Sequence, residues 1–452
     1  MSRAARRFLS YVGGASQTKR YELPHLSAFN FLEHCHESRI DMTSAGSISE
    51  APQHVLSSFD SSSRSYKQLK GLGANKLALE QCGKFFRRRG IICGTENITL
   101  NERILSGISL VYDTLKIKKI LIPTPTFDYY LKQLQIKNIQ FETVPTRKED
   151  GFLLDPKKLD AAIKRSGAKL LLLCYPNNPT GVVMTEENAH AIADIVKKND
   201  IFVISDEAFV SNIINPDKKH FSIAAVDGML DRSVTFTSMS KSMGLPFIRA
   251  SFCVGPQDII KGLASLGGIT PGFEEIMIKS MMDSEENLSY LEDNRQKYLF
   301  NIELIKEKIE QLNKKFCEVF GEEKSGKESY VKAYIPDPES CNVYLLDFSG
   351  LRNKIYKDKK MKTGLDVAEW LLNGAGVGTV PGECFLFNPD EMLVRIALSH
   401  PPHEIEQAFN YMEEAAKEIQ NSIIELPSSS PTPKQMDSAI LKPEELDGER
   451  TH

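Results

Sequence analysis

Five short apolar runs, separated by helix-like stretches, constrain this chain more than any other feature. They lie at 118–123, 169–176, 201–204, 234–237 and 250–254. The longest is Leu170-Leu-Leu-Leu173, with Cys174 and Tyr175 after it. Runs that are apolar at consecutive positions, not alternate ones, suit parallel strands covered on both faces. The stretches between them carry helix signals. Asp155 before Pro156 sets a capping side chain ahead of a proline at the first helical position. Thr185-Glu-Glu opens a helix predicted over 186–198, its acidic first turn matched to the positive end of the helix dipole. Strands alternating with helices imply an α/β layered domain over about residues 60–290.

A smaller α+β unit is expected after it. Leu288, Leu291, Leu299, Ile302, Ile305, Ile309, Leu312 and Phe316 recur at three- and four-residue steps, which predicts a long helix over 285–316. Residues 342–348 and 393–398 read as strands and 366–372 as a helix. A last amphipathic helix carries Ile405, Ala408, Phe409, Met412, Ala416, Ile419 and Ile423 on one face. The expected division is therefore 1–59 as N-terminal arm and part of the small domain, 60–290 as the large domain and 291–425 as the small one. Residues 426–452 hold Pro427, Pro431, Pro433 and Pro443 among serines and charges. Such a segment cannot bury enough apolar surface to offset its ordering entropy, so a disordered tail is expected.

Composition excludes several classes. Lys and Arg number 56 against 60 Asp and Glu, a net charge of −4. That balance gives no basis for nucleic-acid binding or for a polybasic membrane surface. No run approaches the ~20 apolar residues that span a bilayer. The eight cysteines form no Cys-x-x-Cys pair, which suits reduced thiols and a cytoplasmic location. The start, Met1-Ser-Arg-Ala-Ala-Arg-Arg7, lacks the apolar core of a secretory signal. A transit peptide stays open as the alternative. Glu33-His34-Cys35-His36-Glu37 offers adjacent donors that rarely satisfy tetrahedral zinc, and no second half-site accompanies it. No metal is expected. The basic residues of 352–362 read as a solvated loop.

Three segments carry chemistry. Tyr175-Pro-Asn-Asn-Pro-Thr-Gly181 follows one apolar run. Val203-Ile-Ser-Asp-Glu-Ala-Phe209 places a carboxylate at a strand's carboxyl end. Ser238-Met-Ser-Lys-Ser-Met-Gly-Leu-Pro-Phe-Ile-Arg249 follows another strand. Ligands of open α/β sheets gather beyond the carboxyl ends of strands. An amide, a carboxylate and a lysine converging there suit pyridoxal 5'-phosphate. The lysine bonds the aldehyde, the carboxylate keeps the pyridine nitrogen protonated, and hydroxyls with an arginine hold the phosphate.

In this order the segments resemble the pyridoxal-phosphate-dependent class I/II aminotransferases, of the aspartate aminotransferase-like fold type I. The resemblance runs from about Asp41 to Ile419. It implies a large α/β domain with a mostly parallel sheet plus a smaller α+β domain. It implies Lys241 as the Schiff-base lysine, Asp206 on the pyridine nitrogen and Asn178 on the phenolic oxygen. Ser238 and Arg249 would bind the phosphate and Phe127 would stack on the ring. Arg395 would grip the substrate α-carboxylate, bordered by Gly46. Tyr66 would reach the phosphate of a neighbouring subunit, because family members are usually homodimers with shared sites. The implied reaction moves an amino group between an amino acid and a 2-keto acid by a ping-pong mechanism.

Three departures from the family pattern stand out. Phe209 replaces a tyrosine that donates to the phenolic oxygen, a bond worth about 0.5–1.5 kcal/mol net. It keeps a lyase, decarboxylase or cyclase on the same fold open as the alternative. The family's glycine-rich phosphate segment is replaced by Ile98-Thr-Leu-Asn-Glu-Arg-Ile-Leu-Ser-Gly-Ile108, with Arg103 near the usual glycine. Arg103 either adds charge to the phosphate or points away. Phe247 and Ser251 stand where glycines usually flank the phosphate arginine, so the backbone there is expected to differ. A ligand-sensing regulator of this fold would need a DNA-binding unit in the first ~40 residues, where no helix-turn-helix pattern is found.

Overall fold

The computed structural model describes residues 25–57, 72–266, 274–321 and 329–420. Tyr66 and the expected tail at 426–452 lie outside the described residues. A seven-stranded sheet is built, in chain order, from β1 (Ile98–Asn101), β2 (Lys119–Thr124), β3 (Gln140–Pro145), β4 (Leu170–Cys174), β5 (Phe202–Asp206), β6 (Ser233–Thr237) and β7 (Ser251–Val254). Its spatial order is β1-β7-β6-β5-β4-β2-β3. All neighbours pair parallel except β7, which is antiparallel to both β1 and β6.

The consecutive apolar positions of β4 serve both faces of this sheet. Leu171 and Leu173 pack with Ala189, Ile192, Ala193 and Val196. Leu170 and Leu172 pack on the other face with Ile108, Val111 and Tyr112. Each fully buried leucine contributes about 1.5–3 kcal/mol of transfer free energy. Those partners come, after α1 (Leu72–Arg87), from α2 (Ile104–Thr114) on one side and, in chain order after α3 (Asp128–Lys137) and α4 (Pro156–Ser166), from α5 (Glu186–Asn199) on the other. The helix starts follow the sequence signals. Asp155 accepts from the amides of Lys157 and Lys158, and Thr185 accepts from that of Asn188.

The run at 250–254 forms a strand, but an antiparallel one, which corrects the parallel expectation. A parallel return needs a crossover of a dozen or more residues, usually a helix. The link at 238–250 is long enough for a crossover but carries only a short 3-10 turn at Pro246–Ile248, with no helix to lie across the sheet. β1 and β3 had no strong signal. β3 (Gln-Phe-Glu-Thr-Val-Pro) is an edge strand, exposed at both ends, and needs no continuous apolar run.

A second sheet is antiparallel. It comprises β8 (Lys332–Ala333), β9 (Val343–Asp347), β10 (Val380–Pro381) and β11 (Leu393–Ala397), in the order β10-β11-β9-β8. After α6 (Gln257–Leu266) and α7 (Glu274–Ser280) comes the 36-residue α8 (Glu285–Phe320). It packs with α9 (Gly364–Trp370) and α10 (Pro402–Ala415) around Ile305, Phe316, Trp370, Ile405 and Phe409. The last helix ends before Ile419, which lies in a two-residue strand instead. Side chains alternate across β11. Val394 and Ile396 enter this helical core, whereas Leu393 joins the core of the large sheet. The pleat therefore sends Arg395 toward the large sheet.

Candidate active site

The carboxyl edge of the large sheet collects the polar residues. Asp206 ends β5 and is buried. Its Oδ2 accepts from Tyr130 Oη at 2.6 Å and its Oδ1 from the Ala208 amide at 2.9 Å. Among the described residues no cation pairs with it. Burial pushes its carboxyl up to about 6, against the lowering pull of the Tyr130 and Ala208 hydrogen bonds.

Lys241 lies in the turn after β6 and is half-buried. Its Nζ donates to the Ala45 carbonyl and stands 5.9 Å from the Phe209 ring centroid. Burial, then the charge of Arg395, lowers its amine to about 8. Arg249 adds to this lowering, while Cys341 and Asp206 oppose it.

Arg395 reaches the same crevice from β11. Its Nη1 donates to Asn178 Oδ1 at 3.2 Å and its Nη2 to the Thr43 carbonyl. Its Nε is buried with no hydrogen-bond partner among the described residues. The guanidinium carbon stands 5.1 Å from the Phe385 ring centroid. Asn178 is buried in the turn after β4. Gly181, at φ +74°, closes that turn, and a Cβ there would meet the Ser340 carbonyl at 2.7 Å. Only glycine tolerates both the left-handed backbone and the close approach.

The structure thus brings Lys241, Asp206, Asn178 and Arg395 together with the segment Thr43 to Gly46. Gly46 accepts from Asn342 Nδ2 through its carbonyl. Phe127 precedes α3, half-buried, its ring 5.3 Å from that of Tyr130 at 86°. Ser238 is buried directly after β6. Arg249 is exposed, left-handed at φ +47°, and without a bonded partner among the described residues. The glycine replacements find their places here. Ser251 is buried in β7, its Oγ donating to the Asn101 carbonyl at 3.2 Å, and Phe247 is 55% exposed.

Sequence reasoning missed Tyr130, Thr43 and Cys341. Tyr130 was within reach of it, since three residues after Phe127 on a helix start share a face. Cys341 sits at the entrance to β9 at φ +75°, beside Phe209 and Val343. No pattern in the sequence marks it.

The family described as aminotransferase class I and II matches residues 102–412. The chain belongs to this family. The aspartate aminotransferase of Pyrococcus horikoshii is 25% identical over 343 residues, 75% of this chain and 79% of that protein. The aromatic-amino-acid aminotransferase 2 of Thermococcus litoralis is 24% identical over 322 residues, 70% and 74% of the two chains. The crystal structure of the Rhizobium meliloti aspartate aminotransferase superposes with a TM-score of 0.74 over 90% of this chain and 100% of that one. At 17% identity it speaks to the fold alone. This aminotransferase chain has the fold type I architecture, a mostly parallel large sheet beside a smaller antiparallel one.

Proposed function

We propose that this protein is a pyridoxal-phosphate-dependent aminotransferase that moves an amino group between an amino acid and a 2-keto acid by alternating half-reactions. One observation carries the reading. A buried carboxylate without a cation, Asp206, faces a crevice that also holds a lysine lowered to about 8 and a buried arginine with an unpaired Nε. The donor set fits the cofactor: a carboxylate for a ring nitrogen, an amide, an amine and separate guanidinium groups for two anions. When bound, pyridoxal phosphate supplies an aldehyde carbon for the amino group and a ring that takes up the α-carbon's electrons.

The residues act as follows. Asp206 holds the proton on the ring nitrogen, and Tyr130 orients it. Asn178 accepts from Arg395 through Oδ1, which leaves Nδ2 to donate to the phenolic oxygen. Arg395 grips the α-carboxylate, with Gly46 alongside. Lys241 would be the amine that holds the cofactor and the group that carries the α-carbon's proton. Phe127 would lie against the ring, and Ser238 and Arg249 would hold the phosphate. In a homodimer, Tyr66 of a second copy would add to the phosphate contacts. The domain division at 60–290 and 291–425 belongs to the same proposal, with α8 carrying the chain across its boundary. A cytoplasmic location fits the unpaired cysteines. No helix among the described residues is long and apolar enough to cross a membrane.

The relatives named aspartate and aromatic-amino-acid aminotransferases support amino-acid substrates. They do not favour the lyase alternative raised by Phe209. The test is spectroscopic. Purified protein is expected to show the visible band of lysine-bound cofactor, lost in Lys241→Ala. Amino acids are expected to convert the band to the amine form with release of a keto acid. A band that persists while carbon dioxide or ammonia appears overturns the aminotransferase reading. A band retained in Lys241→Ala overturns the site.

A further inference from the structure

We infer that Arg103 is a second phosphate-binding guanidinium of this site, opposite Arg249. The inference rests on the cofactor reading above. β1 and β7 pair antiparallel, with Asn101 opposite Ser251 as the last ladder pair. Two residues farther out on each side lie Arg103 and Arg249. Because β7 is antiparallel to both neighbours, the end of β1 and the start of β7 share the sheet edge that carries Asp206 and Lys241. The ladder therefore places both residues at that edge of the sheet, on neighbouring strand ends. The charge of Arg249 is felt at Lys241.

Both guanidiniums are exposed, and neither has a hydrogen-bond or ion-pair partner among the described residues. Arginines close by in the chain are engaged. Arg87 donates to the Cys93 carbonyl, Arg88 pairs with Asp283 and Arg89 donates to Ser211. Arg103 is also the N-cap of α2, extended at φ −151°, and no side chain accepts from the first-turn amides. A cation at the positive end of an 11-residue helix is an unfavourable choice by itself. A small acceptor side chain there would satisfy the amides. An anion held between Arg103, Arg249 and those amides removes both defects at once. A phosphate monoester of about −2 charge matches two guanidiniums. The replacement of a glycine-rich turn by Arg103 then exchanges close backbone approach for charge.

The test is titration of cofactor-free protein with pyridoxal phosphate and, in parallel, with pyridoxal, which lacks the phosphate. Dissociation constants are read by absorbance and equilibrium dialysis. Arg103→Gln is expected to weaken pyridoxal phosphate about ten- to a hundredfold, as loss of a charge-assisted bond does. Arg103→Lys, which keeps a point charge without the fork, is expected to fall between. Pyridoxal is expected to bind all three proteins alike. Arg103→Gln protein that binds pyridoxal phosphate within twofold of wild type overturns the inference and leaves the cofactor reading standing. An equal loss of both compounds also overturns it, since the effect is then not on the phosphate. Wild-type protein that binds neither compound refutes the cofactor reading itself and this inference with it.

Discussion

Tyr130→Phe removes one hydroxyl from a fully buried side chain and leaves the ring packed against Phe127. That hydroxyl donates to Asp206 at 2.6 Å. A hydrogen bond to a charged, buried acceptor is worth about 1.5–3 kcal/mol. At 1.36 kcal/mol per unit, its loss moves the Asp206 carboxyl by ~1–2 units. The direction is upward, because the bond favours the carboxylate over the acid. Asp206 stands at about 6 with the bond in place, so it moves to roughly 7–8 without it. In its proposed role, Asp206 would hold the ring-nitrogen proton only as a carboxylate. Cofactor affinity therefore declines as pH falls through the Asp206 value. The assay is the dissociation constant of pyridoxal phosphate across pH 5–9, with thermal unfolding as a control for folding. The acidic limb of the variant is expected to move up by ~1–2 units. Near pH 6 it binds roughly 5- to 50-fold more weakly than wild type, from the ionised fractions alone. At pH 9 the two proteins are expected to bind alike. An unmoved acidic limb, or a loss of affinity that is uniform across pH, refutes the reasoning.

Three further outcomes are expected. Arg395→Ala should raise KM for amino acids ~100-fold or more, since two charge-assisted bonds are lost, while cofactor affinity, measured by titration, changes little. Equal losses remove Arg395 from the substrate role. Phe209→Tyr restores a donor beside the phenolic oxygen and should lower the pKa of the visible band by ~0.5–1 unit, read by spectrophotometric pH titration; an unshifted band means the added hydroxyl does not reach. Trp370→Ala empties a fully buried position whose ring centroid lies 6.0 Å from those of Phe316 and Phe348. It should cost about 3–5 kcal/mol in denaturant unfolding, and a loss under 1 kcal/mol contradicts the packing described.

Legibility in the sequence tracked how local the determining physics is. β4 was readable because burial on two faces leaves only apolar residues, and Asp155 and Thr185 because a cap acts within three positions. The antiparallel sense of β7 was not, because an apolar run carries no direction; that information sat in the helix-free connection before it. β3 was hidden by its edge position. At the site, Lys241, Asp206 and Asn178 are local to strand ends and stood out together. Tyr130 and Thr43 act through partners 76 and 352 residues away, and spacing along the chain does not encode such pairs. Arg395 lay between these cases. Its position was visible in Leu-Val-Arg-Ile-Ala, but its aim toward Asn178 depends on the pleat and on how the two sheets meet.

The distribution of charge ties these observations together. A chain with a net charge of −4 sets Lys241, Arg249 and Arg395 on one crevice against the buried carboxylates Asp206 and Asp128. Asp128 answers Arg395, whose charge opposes the upward push of burial on that carboxyl. That leaves the amine and the exposed arginine facing Asp206 alone. Arg395 and Arg249 both lower Lys241, after burial itself. Anions on those two arginines cancel this part of the lowering. With anions on both, the amine would hold its proton more firmly than without them. In the proposed arrangement the two anions act from different sides, a substrate carboxylate on Arg395 and the cofactor phosphate on Arg249, while Phe209 adds no ionisable group beside Lys241.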